Sequence, residues 1–197
     1  VQGSTVYRGT KAAYLINSTL WHVFSNSVAS NVWVDFIARP SLRTMTGNPE
    51  VSNTTAAAFY INSAGYVVVR TNAGWRTFAT YTVPTNVWTR FTMHLDYAAS
   101  NWSLYAVDTR SNTLATPVVT NFPFQDSATN CLISRFRIKG SGLGTPGYID
   151  DISVADEAAS GIPLDIDDDG DDLADGWETN YLGGTAISDG SADTDGD

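Results

Sequence analysis

Cysteine, charge and helix-period stretches are all scarce in this chain of 197 residues. One cysteine, Cys131, permits no internal disulfide, and metal ligation by thiolates would need more of them. Its expected role is that of a small buried apolar residue. No stretch approaches 18 apolar residues, so a helical membrane span is excluded, and no basic-then-apolar start resembles a signal peptide. Charged residues make up only 16%, against about a quarter in an average globular chain. Their place is taken by Thr, Ser, Asn, Gly, Val, Tyr and Trp, the composition of an all-β surface.

Lysine and arginine are absent beyond Lys139, and this divides the net charge of −10 between two unlike segments. Residues 1–160 hold all eleven cations and nine acids, so they are near neutral at +2. The last 37 residues hold the other twelve acids and carry −12. A near-neutral domain joined to such a tail is unsuited to nucleic acid. With 43% hydrophobic residues, the chain suffices for one buried core plus a small appendage. The boundaries read as a β domain over 1–155, a linker over 156–164 and a distinct acidic segment over 165–197. The start at Val1 in a strand-like pattern and the stop at Asp197 inside an acidic motif lead us to expect a piece of a longer protein.

From Val32 to Lys139 apolar and polar residues alternate, and turn residues cut the pattern into short pieces. Val32, Val34 and Phe36 point one way, while Trp33, Asp35 and Ile37 point the other. Asn62-Ser-Ala-Gly65 joins Phe59–Ile61 to Tyr66–Arg70 as a hairpin, and Asn72-Ala-Gly74 turns the chain into 76–82. In Trp88–Tyr97 the residues Phe91, Met93, Leu95 and Tyr97 share one face, and Arg90, Thr92, His94 and Asp96 share the other. Strands are also expected over 102–107, 132–139 and 148–154. No helix-period stretch separates them, so the fold class is all-β: an antiparallel β-sandwich of eight to twelve strands in a jelly-roll arrangement.

The tail runs DIDDDGDDLADGWETNYLGG from Asp165 and closes on DTDGD. An oxygen-ligand calcium loop of the EF-hand kind takes ligands at positions 1, 3, 5, 7, 9 and 12. Starting at Asp167, these are Asp167, Asp169, Asp171, the Leu173 carbonyl, Asp175 and Glu178. A start at Asp165 puts Gly170 in the favoured sixth place but leaves Gly176 at position 12, where a carboxylate is needed. The first register instead sets Asp172 at the sharp turn, a position that Asp tolerates better than most residues do. Asp193, Asp195 and Asp197 repeat the first three ligand positions of a second loop. Hard oxygen donors without His or Cys select Ca²⁺ over zinc or copper. The competing reading is a solvated acidic linker held open by repulsion, but such a spacer has no use for Leu173 and Trp177.

That tail resembles the thrombospondin type 3-like and dockerin-like calcium repeats of secreted bacterial polysaccharide-processing proteins, whose recurrent form is D-x-D-G-D-G-L-x-D-x-W-E. Asp172 departs from it in replacing the second glycine. The resemblance implies an extracellular or cell-surface, multi-modular parent, with neighbouring modules of the same chain as partners. The body resembles, more loosely, the concanavalin A-like lectin/glucanase and LamG-type jelly rolls through TRFTMHLDYAASNWSLYAVD and the closing GYIDDISV. That resemblance implies a structural calcium held by Asp150 or Asp151.

A glycoside hydrolase needs a pair of carboxylates across the cleaved bond. Laminarinase-like members of that superfamily carry a Glu-x-Asp-x-x-Glu strand, which this sequence does not contain. Glu50 and Glu157 are the only glutamates before the tail, and Asp35, Asp96 and Asp108 have no strand-aligned partner. The expectation is therefore a chain that is not itself an enzyme, although its parent protein would fit a polysaccharide-degrading one.

Sugar binding needs aromatic platforms ringed by hydrogen-bonding side chains. Trp75, at a turn where a large ring is hard to bury, is the first candidate, and Tyr66 is a weaker one. Trp21, Tyr81 and Tyr105 are weaker too, and Trp33, Trp88 and Trp102 read as core. Arg135, Arg137 and Lys139 alternate with Phe136 and Ile138, so three cations project from one strand face. With Arg70, Arg76 or Arg90 nearby, such a strip suits sulfate or uronate groups, because Arg grips them bidentately. Solvation, or pairing with the tail or Asp96, is the alternative. The function expected is a carbohydrate-binding module for a polysaccharide, with Ca²⁺ as cofactor. A structural or adhesion spacer is the alternative.

Overall fold

A computed structural model describes residues 3, 5–25, 29–42, 47–52, 54–111, 113–125, 132–140 and 147–158. The chain divides into two units, Val1–Ala159 and Ser160–Asp197, and the description concerns the first. The tail positions Asp167, Asp169, Asp171, Leu173, Asp175, Glu178, Asp193, Asp195 and Asp197 lie outside the described residues, as does Cys131.

Among the described residues there are eleven strands and no helix. They are β1 (Ala13–Leu15), β2 (Thr19–Val23), β3 (Asn31–Arg39), β4 (Phe59–Ile61), β5 (Tyr66–Thr71) and β6 (Gly74–Thr82). There follow β7 (Thr89–Asp96), β8 (Asn101–Asp108), β9 (Thr116–Pro123), β10 (Arg135–Lys139) and β11 (Gly147–Ala155). All pairings are antiparallel. A six-stranded sheet has the order β1-β11-β3-β7-β8-β9, a three-stranded sheet is β4-β5-β6, and β10 pairs with β2 as a two-stranded ribbon. The fold is thus an antiparallel β-sandwich whose first and last strands lie side by side.

Its core follows from the alternation. Across the six-stranded sheet, Val34, Met93, Leu104 and Val119 stand in register, and so do Phe36, Phe91 and Ala106. This inner face meets Val67 and Val69 of β5 and, from the ribbon, Leu20, Phe136 and Ile138. Rings interlock across the layers: Phe36 with Phe136 at 6.1 Å, Phe59 with Phe91 at 5.7 Å, and Phe78 edge-on to Phe122 at 5.6 Å.

The turns take the residues their geometry demands. In the 62–65 hairpin, Asn62 Oδ1 accepts from the Ala64 and Tyr66 amides, and Gly65 has φ +83°, where a Cβ would stand 2.5 Å from the Val83 carbonyl oxygen. Strand β9 escaped the sequence reading because it contains Pro117 and ends on Pro123, both tolerated only because it is an edge strand. The pattern expected over 132–139 forms a strand only from Arg135.

Candidate functional site

Three surfaces gather the residues singled out by sequence. The first lies on the outer face of the three-stranded sheet. In β5 and β6 the alternation sends Val67 and Val69 inward, so Arg70 and its direct cross-strand partner Trp75 face outward. The Arg70 guanidinium lies 5.8 Å from the centre of the Trp75 ring, and Tyr60 meets that ring edge-on at 5.1 Å. The Tyr60 hydroxyl donates to Asn48 Oδ1 at 2.8 Å, which ties the 48–51 segment to the sheet. The result is an open groove of about 470 Å³ lined by Asn48, Pro49, Glu50, Val51, Arg70 and Trp75. Within it, Arg70 Nε is buried and has no hydrogen-bond partner among the described residues.

Trp75, half-buried near the start of β6, lines this groove, and neither Tyr66 nor Arg76 does. Arg76 points to the opposite face of β6, where its guanidinium covers the Phe78 ring at 5.0 Å. Tyr66 begins β5 next to the bulge that pairs it with Thr82. Tyr60, Arg70, Asn48 and Glu50 were not predicted at this site, because only the hairpin register and the 48–51 segment bring them to Trp75.

The second surface is the ribbon. Arg135, Arg137 and Lys139 all project outward, opposite Val23, Trp21 and Thr19 respectively. Trp21 is 61% exposed, and the Arg135 guanidinium lies 5.9 Å from its ring centre. The basic strip does not extend onto Arg90, which is on a different sheet with its Nε 2.9 Å from Asp35 Oδ1.

The third surface is the outer face of the six-stranded sheet. Here Asp35 accepts from Arg90 Nε at 2.9 and 3.0 Å and from the Thr92 hydroxyl at 2.5 Å. His94 stacks flat on Trp33, with centroids 3.9 Å apart, and its Nε2 is 3.0 Å from Asn31 Oδ1. Burial lowers the His94 pKa, against the attraction of Asp96. Trp33 is 7% exposed yet faces away from the inner layer, and Trp102 is a core residue as expected. Trp88 is half-buried between Tyr7 and Tyr148. Tyr105, one of the weaker platform candidates, is 8% exposed, and burial pushes its hydroxyl pKa up; it offers no ring to a ligand. Tyr81 is half-buried and its pKa is raised chiefly by burial.

Asp150 and Asp151 sit at a bulge in β11. Asp150 accepts from the Tyr7, Arg8 and Asp151 amides, and Asp151 Oδ2 lies 3.7 Å from Arg8 Nε. No group of three or more His, Cys, Asp or Glu side chains placed to hold a metal ion occurs among the described residues.

No protein-family model and no curated protein matches this chain. Solved structures similar to it include the binding domain of Paraclostridial Mosquitocidal Protein 1, with a TM-score of 0.49 and 12% identity over 78% of this chain and 42% of that one. This chain thus spans less than half the length of that domain. A SAP-like pentraxin from Limulus polyphemus gives 0.41 and 14% over 68% and 67%. The catalytic domain of the glycoside hydrolase family 131 protein from Coprinopsis cinerea gives 0.35 and 15% over 68% and 59%. The sandwich itself rests on the strand pairing described above.

Proposed function

We propose that this chain is a non-catalytic carbohydrate-binding module, joined by a Ca²⁺-stabilised connector to other modules of a secreted or cell-surface protein. The observation that carries the reading is the Trp75 groove. An indole at an open groove offers a flat apolar surface to the C–H face of a pyranose, while Asn48, Glu50 and Arg70 supply acceptors and donors for its hydroxyls. The unpartnered Arg70 Nε adds a polar group whose environment a bound ligand can improve.

Binding without hydrolysis is supported by the acid count. Glu50 is the single carboxylate among the described lining residues, whereas both usual glycosidase mechanisms need two. The half-buried carboxylates lie elsewhere and are engaged: Asp35 by Arg90 and Thr92, Asp96 by the Ala99 amide, Asp108 by Arg110 and Asp150 by the Tyr7 amide. Calcium rests on the donor set of the tail: Asp167, Asp169, Asp171, Leu173, Asp175 and Glu178 supply oxygen at every ligand position of one loop.

Affinity electrophoresis through gels containing neutral polysaccharides tests the reading. At least one should retard the wild-type chain, and Trp75→Ala should abolish that retardation. A chain that no polysaccharide slows leaves the spacer or adhesion role, and release of reducing sugar from any of them removes the non-catalytic assignment.

A further inference from the structure

The β2–β10 ribbon presents a surface that the groove does not use. Its inner side chains, Leu20, Phe136 and Ile138, are packed on the core, and both ends are extended by backbone hydrogen bonds, from the Phe24 amide to the Ser134 carbonyl and from the Gly140 amide to the Ser18 carbonyl. Gly140 also passes close to β1, where a Cβ would stand 2.7 Å from the Leu15 carbonyl oxygen. The outer side chains are thus mounted on a fixed platform. They are Arg135, Arg137 and Lys139 on one strand and Val23, Trp21 and Thr19 directly opposite.

Two properties of this face are unusual for a surface with no ligand. First, the three cations are exposed and none forms an ion pair with a described residue. Successive outward residues on a strand are about 7 Å apart, so the three charges span about 14 Å. Second, the largest exposed apolar side chain of the described residues, Trp21, lies directly across from the middle cation, with Arg135 also against its ring. Solvation alone accounts for an exposed cation; it does not account for an indole left 61% exposed beside two arginines and a lysine.

We propose that this ribbon is a second carbohydrate subsite, selective for sulfated or uronic acid-bearing glycans. The assignment rests on the carbohydrate-binding reading but not on the Trp75 groove. Trp21 takes the apolar face of one sugar ring. Arg135 and Arg137 hold sulfate or carboxylate oxygens on either side through paired N–H donors, and Lys139 adds a point charge at the end of the strip. Nucleic acid fits less well. Phosphate contacts supply essentially all of sequence-independent binding, and this strip holds only three cations on a unit of charge near +2.

The test is electrophoresis of the full chain through gels containing dextran, dextran sulfate, polygalacturonate or poly(dA), over a series of salt concentrations. Dextran sulfate or polygalacturonate should retard the wild type well beyond dextran, and the two polymers separate sulfate from carboxylate recognition. Arg135→Ala with Arg137→Ala should weaken that retention by at least about tenfold and flatten its salt dependence. Trp21→Ala should weaken it about fivefold while leaving the salt slope unchanged, which a loss of charge cannot mimic. Arg110→Ala removes an exposed arginine already paired with Asp108 and should leave retention within twofold. Undiminished retention of the double variant overturns the subsite, as does equal retention by poly(dA). Retardation by neutral polymers alone overturns it while leaving the groove reading intact.

Discussion

His94 lies flat against Trp33 with its Nε2 held by Asn31, and its pKa is lowered from 6.5 chiefly because burial disfavours the charged ring. Between the lowered value and 6.5 the unfolded chain binds the proton that the folded chain refuses. Folding stability should therefore fall as the pH drops below about 6.5. Urea unfolding of wild type and His94→Gln across pH 5 to 8 should show a slope in the wild type that the variant lacks; parallel curves would remove His94 as its source. The sequence placed His94 on the same strand face as Arg90 and Thr92. It did not place it against Trp33, because that contact needs the β3–β7 register, set across a long separation in sequence. Trp33 is buried, as the strand pattern led us to expect, but what covers it on the outer face could not be read, since alternation assigns a side chain to a face without telling what else lies on it.

At the scale of elements, the strands around strong turn chemistry were legible to within a residue or two. The 62–65 hairpin is one case, and the alternation through β7 is another. Elements held mainly by their partners were not. The three-residue β1 exists through β11 alone, and β9, with two prolines, needs only β8. The N-terminal segment is a further example, being fastened by the Asp150 carboxylate to the Tyr7 and Arg8 amides. Asp150→Ala should cost about 1–2 kcal/mol in urea unfolding and open residues 5–10 to proteolysis. Unchanged cleavage there would show that the clasp contributes nothing. This carboxylate serves three backbone amides, and Asp151 Oδ2 lies 3.7 Å from Arg8 Nε.

For the whole molecule, the division of charge is the property with the largest measurable consequence. Seven acids between 165 and 175 repel one another until a cation neutralises them, so we expect the tail to fold only with Ca²⁺. Adding EDTA should shift the Trp177 fluorescence and lower the thermal stability of the tail, and returning Ca²⁺ should restore both. Identical melting and emission with and without EDTA would leave the solvated-linker reading in place.

The sequence by itself determined the all-β class, the faces of the main strands and the boundary between a near-neutral body and an acidic tail. These depend on period-2 alternation, turn residues and charge, all of which are local. Only the tertiary structure decided which side chains meet: Trp75 with Arg70, Tyr60 and the 48–51 segment, and Trp21 with Arg135 and Arg137. It also sent Arg76 away from Trp75. In a sandwich the partners of a strand come from anywhere in the chain, β2 taking β10 across more than a hundred residues. Their register is fixed by burying one face of every strand at once, a condition that no single segment carries.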